Sequence, residues 1–463
     1  MNTVGSGTKE TAMAEFTVRG KRAVVIGGAR SGVAAALLLH DRGAAVTVTD
    51  SKETIRDAAL LKSRGVSVQL GTNDPTLIVS ADVVVTSPGV PWHLPVLDQA
   101  RAAGVEVLGE VELASRWLKG RIVAITGTKG KSTTTTLVGR MLRAAGKPGA
   151  VAGNIGDALA GHVSQSTPDS IHVVEVSSFQ LEATSTFHPW IAALLNFSPD
   201  HLDRHATVDE YAAAKQRVFT NQDEDDWAVV NLDDPETARL AAASPARRAW
   251  FGLDTRPEDG VTVDGGAVCH VAHGTRTPLI PLSSVRLIGR HLLADVVAAA
   301  AIARIAGVGS DSMVRAVEGF GGLEHAMELV AEHRGVRFVN DSKATNVESA
   351  RRAIESFDRG LVPIMGGRFK GGDLRELREP LRARARAVVA IGEARARLRA
   401  AFEGAVAVHE AETMRDAVER GFELAEPDGT VLLAPACASF DMFADYAERG
   451  RVFKQEVERI VGR

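Results

Sequence analysis

The sequence predicts an α/β protein of three units, and three observations carry that expectation. Short apolar runs alternate with amphipathic helical stretches, a glycine loop carrying a lysine separates one such pair, and polar clusters follow wherever an apolar run ends. Alternation of this kind builds parallel sheets with crossover helices. At 463 residues, with about 100–200 residues per domain, three domains are the expectation.

The first unit opens with the buried run Ala23–Gly27, turns through Gly27-Gly-Ala-Arg-Ser-Gly32, and continues as an Ala/Leu-rich helix to His40. A second run, Ala45–Thr49, ends in Asp50, where a dinucleotide fold places the acid that contacts a ribose. Ala29 stands where the middle glycine of G-x-G-x-x-G belongs, so close approach of a pyrophosphate is disfavoured. Uridine or another nucleotide at the same edge survives that change.

The second unit begins near Arg121. Ala124-Ile-Thr-Gly-Thr-Lys-Gly-Lys-Ser-Thr-Thr-Thr-Thr136 reads as a strand, a glycine loop and the start of a helix. N–H groups at such a helix start bind anions, Lys131 would sit against the β and γ phosphates, and the Ser132 hydroxyl would hold Mg²⁺. Gly127, Thr128, Lys129, Gly130, Lys131, Ser132, Thr133 and Thr134 are therefore the candidate ATP-binding residues. Ile125 occupies the place of the first glycine of the general phosphate-loop pattern, so the loop is a variant form. The next buried run, Ile171–Val176, contains Glu175. A carboxylate among Val and Ile costs free energy unless it is paired or binds a metal, and Mg²⁺ shared by Ser132 and Glu175 accounts for it. Beyond the run Ile191–Asn196, the loop Ser198–His205 concentrates ionisable groups. On spacing alone, His201 reads as a loop histidine and Lys215 as a solvated lysine.

The third unit follows Gly321-Gly322 with the runs Val336–Val339, Leu361–Met365, Val388–Ile391 and Thr430–Leu433. Asn340–Asn346 and Gly366–Gly372 follow the first two, and Ser439 is expected at the start of a helix after the last. Ligands of open α/β sheets bind at the carboxyl ends of strands, so these are ligand loops by position. The fold class expected is a Rossmann-like N-terminal domain, a central phosphate-loop ATPase-like domain and a Rossmann-like C-terminal domain.

Composition narrows the function. With 54 basic and 58 acidic residues and a formal net charge of −4, the chain has no electrostatic footprint for nucleic acid or an anionic membrane. Cys269 and Cys437 build no disulfide framework, which fits a reducing cytoplasm. Residues 1–15 are polar and are expected to form a disordered tail. No uninterrupted apolar stretch of about 18 residues is present to span a membrane.

Thr126-Gly-Thr-Lys-Gly-Lys-Ser-Thr133, Gly153-Asn-Ile-Gly156, Glu175-Val-Ser-Ser-Phe-Gln-Leu-Glu182, Asp200-His-Leu-Asp-Arg204, Asn340-Asp-Ser-Lys-Ala-Thr-Asn346 and Pro435-Ala-Cys-Ala-Ser-Phe-Asp441 occur in this order. Together, from about Phe16 to Arg463, they resemble the Mur ligase family, and Ser177-Ser-Phe-Gln-Leu-Glu182 and Asp341-Ser-Lys-Ala-Thr-Asn346 resemble its D-glutamate-adding branch. The resemblance implies ATP-dependent addition of D-glutamate to UDP-N-acetylmuramoyl-L-alanine, a cytoplasmic step of peptidoglycan synthesis, by a monomer. It implies domains at 16–112 for the UDP substrate, 113–322 for ATP and 323–463 for the amino acid. Arg30, Ser31, Asp50, Ser51, Lys52 and Ser87 would hold the UDP part, and Asn154, Ser177 and Gln180 the muramoyl-alanine part. Glu175 and Ser132 would serve one Mg²⁺; His201 and Lys215, the latter as a carbamate made from CO₂, would serve a second. Asp341, Lys343 and Thr345 would lie by the nucleotide, and Lys370, Ser439 and Tyr446 by the incoming D-glutamate.

Against that pattern the chain carries Lys129 for an asparagine, Leu292 and Asp295 for two asparagines, and Ala326 for an arginine. The alternatives are a protein that binds UDP-sugar peptide without turnover, a ligase using L-glutamate, and a nicotinamide oxidoreductase built on the first unit.

Overall fold

The computed structural model describes residues 16–202 and 204–462; the expected tail, residues 1–15, lies outside the described residues, as does Asp203. The first sheet contains β1 (Arg22–Ile26), β2 (Ala45–Asp50), β3 (Ser67–Leu70), β4 (Val83–Thr86) and β5 (Glu106–Gly109), in the order β3-β2-β1-β4-β5. Every pair in it is parallel. Its central strands are apolar on both faces because helices cover both.

The second sheet comprises β6 (Arg121–Thr126), β7 (Val151–Gly153), β8 (Ile171–Glu175), β9 (Ile191–Leu194), β10 (Trp227–Asn231), β11 (Arg247–Phe251), β12 (Asp259–Asp264), β13 (Ala267–Ala272) and β14 (Thr275–Pro281), in the order β14-β13-β12-β11-β10-β9-β6-β8-β7. β9, β6, β8 and β7 are parallel, with Ile125 opposite Glu175. β12, β13 and β14 form an antiparallel meander that the sequence reading did not anticipate. The third sheet holds β15 (Glu328–His333), β16 (Val336–Asn340), β17 (Leu361–Gly366), β18 (Val388–Ile391), β19 (Val408–Glu410) and β20 (Thr430–Leu433), in the order β15-β16-β20-β17-β18-β19. Only the edge strand β15 runs antiparallel.

The chain divides into two compact units: one contains the chain up to Thr128 with 147–228 and 236–248, the other 129–146, 229–235 and the remainder from Ala249. In the first, Glu112 is a buried anchor that accepts hydrogen bonds from the backbone N–H groups of Ser185, Thr186 and Phe187 and pairs with Arg116. In the second, the helix Lys131–Ala144 packs against the helices Arg290–Ile305 and Ser310–Glu318. Arg140 fastens the last of these contacts by donating to the carbonyls of Ala316 and Gly319. Among the described residues, no helix is long and apolar enough to cross a membrane.

Candidate active site

In the first unit, the turn after β1 borders a cavity of about 790 Å³. Gly28, Arg30, Asp50 and Lys52 line it; Ser31, Ser51 and Ser87 do not. Asp50 is committed to the turn itself, since its carboxylate accepts from the N–H groups of Gly28 (2.8 Å) and Lys52 (2.9 Å). That bond occupies the Gly28 N–H, a group a dinucleotide pyrophosphate would need. Ser87 is buried and donates its hydroxyl to Gly27 O at 3.0 Å, so it shapes the turn from behind.

Glu110, also in this unit, is fully buried. One carboxylate oxygen accepts from Ala160 N–H at 2.6 Å, and the other has no hydrogen-bond partner. Burial pushes its pKa up to about 7, against the opposing effects of the Ala160 bond and the more distant Arg30 charge. Because the folded value exceeds the unfolded one, the stabilising contribution of Glu110 is full below about pH 4.5 and is lost as pH rises through about 7. Asp341, in the second unit, is shifted the same way by burial, also to about 7. Thermal melts between pH 4.5 and 8 are therefore expected to show a declining melting temperature. Glu110→Gln is expected to flatten the decline by on the order of 3 kcal/mol across the range; an identical profile for parent and variant would refute the assignment.

Three of the candidate reacting-centre residues fall in the first unit. Glu175, at the end of β8, is 1% exposed. Asn154 holds it twice, donating from its side chain to one carboxylate oxygen (2.7 Å) and from its N–H to the Glu175 carbonyl (2.9 Å). The second carboxylate oxygen is buried with no hydrogen-bond partner, an arrangement that costs free energy as it stands. Lys215 lies on the helix Val208–Gln216, begun by Thr207, whose hydroxyl accepts from Glu210 N–H. It is buried, and its amine donates to Gly127 O at 2.8 Å, above the Tyr211 ring at 4.7 Å. The Thr128 hydroxyl bonds Ser198 and Tyr211, tying the loop after β6 to the segment that leads to His201. His201 is exposed, with a left-handed backbone (φ 56°). Ser177 and Gln180 form a reciprocal helix cap with each other at 3.0 and 3.2 Å, so the structure uses both side chains to start the helix Ser178–Glu182.

In the second unit, the phosphate-loop helix starts at Lys131, with Ser132 in its first turn. Gly130 adopts φ 80°, and a Cβ there would collide with the Asp295 carboxylate, so only glycine fits. Asp295 is buried; burial raises its pKa well above the usual range, opposed by the Thr134 and Thr133 hydroxyls. Those hydroxyls face the carboxylate, although Thr134 Oγ1 closes no conventional hydrogen bond. Close by in sequence, Lys129 lines a cavity of about 680 Å³ together with Asn231, Asp233, Arg290 and Asp341. The loop after β16 thus brings one of its three candidates to the cavity; Lys343 is exposed and Thr345 half-buried outside its lining.

The loops after β17 and β20 separate the remaining candidates. Lys370 is exposed, Ser439 is buried, and Tyr446 is 41% exposed as the first residue of the helix Tyr446–Val461. Ser439 is not at a helix start. The helix begins seven residues later, where the Asp445 side chain accepts from Glu448 N–H and outcompetes the earlier serine as a cap. Sequence reasoning also missed Arg449. It is 1% exposed, bonds Ser342 through Oγ and the carbonyl, and bonds the Cys437 carbonyl, holding the loops after β16 and β20 together. Cys269 and Cys437 are both buried free thiols.

In chain order, a phosphate loop on one α/β sheet follows one further α/β sheet and precedes another, each with polar loops at its strand ends. Three family models match in order: Mur ligase MurD-like, N-terminal domain, at residues 21–109; Mur ligase middle domain at 125–303; and Mur ligase, glutamate ligase domain at 326–437. The chain belongs to the Mur ligase family. It is 44% identical over 445 residues to the UDP-N-acetylmuramoylalanine--D-glutamate ligase of Acidobacterium capsulatum, covering 95% of this chain and 96% of that one. To the enzyme of the same name from Solibacter usitatus it is 43% identical, covering 95% and 98%. Among solved structures, UDP-N-acetylmuramate-alanine ligase MurC from Thermotoga maritima superposes with a TM-score of 0.58 at 17% identity, covering 95% of this chain and all of that one. MurF ligase from the same organism, in complex with ADP, gives 0.57 at 16% identity and 96% of both chains. These two show the fold.

Proposed function

We propose that the chain is an ATP-dependent amide ligase that adds D-glutamate to UDP-N-acetylmuramoyl-L-alanine, acting in the cytoplasm in peptidoglycan synthesis. One observation carries the reading. Relatives named for this activity match at 40–44% identity along nearly the whole chain, not in the phosphate loop alone.

The cavity beside Gly28 and Arg30 is the proposed seat of the UDP part, and the cavity shared by Lys129 and Asp341 that of the adenine nucleotide. Ser132 and Glu175 are each proposed as ligands for a first Mg²⁺, and His201 with Lys215 as its carbamate as ligands for a second. The unpartnered buried oxygen of Glu175 supports the first of these sites. Bound there, the ions supply charge neutralisation for phosphoryl transfer.

The residues' own work follows from charge. The carboxylate of the alanyl acceptor attacks the γ-phosphorus, ADP leaves, and an acyl phosphate forms; Lys131 offsets the negative charge that gathers as the two anions meet. Asn154 keeps Glu175 in one orientation through both of its hydrogen bonds. The amine of D-glutamate then attacks the acyl carbon, phosphate departs with the bonding pair, and loss of a proton leaves the amide.

A phosphate-release assay tests the proposal. Release is expected only when ATP, UDP-N-acetylmuramoyl-L-alanine and D-glutamate are present together, with L-glutamate a poor substitute. Absence of release at every ATP concentration would favour binding without turnover, and preference for the L isomer would reassign the amino-acid specificity.

A further inference from the structure

Within the first unit, one continuous set of contacts runs from the turn beside the 790 Å³ cavity to the turn that carries His201. Gly27 has φ 97°, and a Cβ on it would lie 2.9 Å from Ser87 Cβ, so the two segments are pressed together there. Ser87 donates to Gly27 O and closes its own turn by accepting from Val90 N–H at 2.9 Å. The outward carbonyls of that turn are taken by Arg204, whose Nη2 donates to Val90 O at 2.8 Å and reaches Pro88 O at 3.4 Å.

Arg204 holds the histidine turn at the same time. Its backbone N–H donates to His201 O at 3.0 Å, and its guanidinium lies 4.5 Å over the Phe179 ring. The same ring meets the edge of His201 at 5.1 Å and stacks on His205 at 5.3 Å. His205 is itself anchored by its N–H to His201 O (3.0 Å) and by its ring to the Ser178 hydroxyl (2.9 Å). A histidine in the left-handed region is strained and persists only where its surroundings over-determine it. Here Phe179, Arg204 and His205 do so, and of these Arg204 alone also binds the Ser87–Val90 turn. A planar guanidinium suits this double duty, because it donates in its plane while its face lies on an aromatic ring.

We propose that Arg204 is a positioning residue that couples occupation of the Gly28–Arg30 cavity to the placement of His201. The acceptor's nucleotide, when it settles the first turn, thereby settles the turn that presents the histidine to the reacting carboxylate. The proposal rests on the reading of that cavity as the UDP seat.

The experiment uses the full chain with UDP as the probe and follows amide hydrogen exchange in the parent, Arg204→Ala and Arg204→Lys. UDP is expected to slow exchange both around Gly28–Arg30 and around His201 in the parent, around Gly28–Arg30 alone in Arg204→Ala, and partially around His201 in Arg204→Lys. In turnover, Arg204→Ala is expected to lower kcat about ten- to a hundredfold, with the KM for ATP changed by no more than about twofold. The lysine variant keeps the charge and aliphatic stem, so it carries the test should the alanine variant fail to fold. Protection around Gly28–Arg30 but not around His201 in the parent would overturn the coupling while leaving the cavity's reading intact. Protection around His201 that persists undiminished in both variants would overturn it equally. Failure of UDP to protect Gly28–Arg30 in the parent would overturn both readings.

Discussion

Lys215→Ala is expected to abolish most ligase turnover, by roughly 10²–10³-fold in kcat, the scale seen when a preorganised charge-stabilising group is removed. The amine sits 2.8 Å from Gly127 O, on the loop that leads into the phosphate-binding residues, and is 2% exposed. Such a position makes little sense for a solvated surface lysine. CO₂ adds to an uncharged amine, releasing a proton and leaving two carboxylate oxygens at the end of the side chain. If those oxygens are what the reaction uses, a short carboxylic acid supplied in solution can occupy the space vacated in the alanine variant. Formate or acetate at high concentration is therefore expected to restore part of kcat without changing the parent enzyme. Rescue separates lost chemistry from lost packing, because a carboxylate from solution restores the oxygens but does not rebuild the packing of the three methylenes removed. Near-normal turnover of Lys215→Ala would remove the residue from the mechanism, and a dead variant insensitive to carboxylates would leave it a structural role only.

The reach of the sequence differed between fold and site for a physical reason. Runs such as Leu361–Met365, Val388–Ile391 and Thr430–Leu433 are buried on both faces, so their apolar continuity marks parallel strands directly. The meander β12–β14 is half-exposed and went unread, although the Gly265-Gly266 pair between β12 and β13 is a turn signal of the usual kind. Glu175 stood out because a carboxylate inside an apolar strand is anomalous locally. By contrast, the neighbourhood of Lys129 includes Asn231, Arg290 and Asp341, contributed by three distant segments, and no local pattern encodes that meeting. Arg449 was equally silent, and Arg204 was legible only as the end of the Asp200–Arg204 motif, not as a bridge. Each acts through backbone carbonyls, and an arginine that binds carbonyls has no partner residue type to betray it. Ser177 and Gln180 show the reverse case, in which a motif legible as substrate contact is also a complete helix cap.

Ala326 and Lys129 are expected to act against each other in ATP binding. Ala326 sits between His325 (φ 64°) and Met327 (φ 49°), and Met327 donates its N–H to Asp341 at 3.3 Å, so the residue lies one position from the wall of the 680 Å³ cavity. An alanine there offers nothing to an anion. A charged hydrogen bond from an arginine at this place would be worth about 1.5–3 kcal/mol, so its absence weakens nucleotide binding about ten- to a hundredfold if nothing offsets it. Lys129 lines the same cavity and adds a positive charge in the phosphate loop, where attraction to phosphate is strongest. The remaining lining includes Asp233, Asp254 and Glu355, acids that raise the value of any cation beside them. Ala326→Arg is accordingly expected to lower the apparent KM for ATP, and Lys129→Asn to raise it by about tenfold. The double variant is expected to lie nearer the parent, and a departure from additivity would mean that the two side chains address one phosphate charge rather than separate ones. Steady-state kinetics with ATP varied at saturating acceptor and D-glutamate reads all four proteins. If Lys129→Asn leaves ATP use unchanged, the lysine does not compensate for the missing arginine, and the affinity must come from groups that the variant leaves in place, such as Lys131 and the N–H groups of the helix it begins.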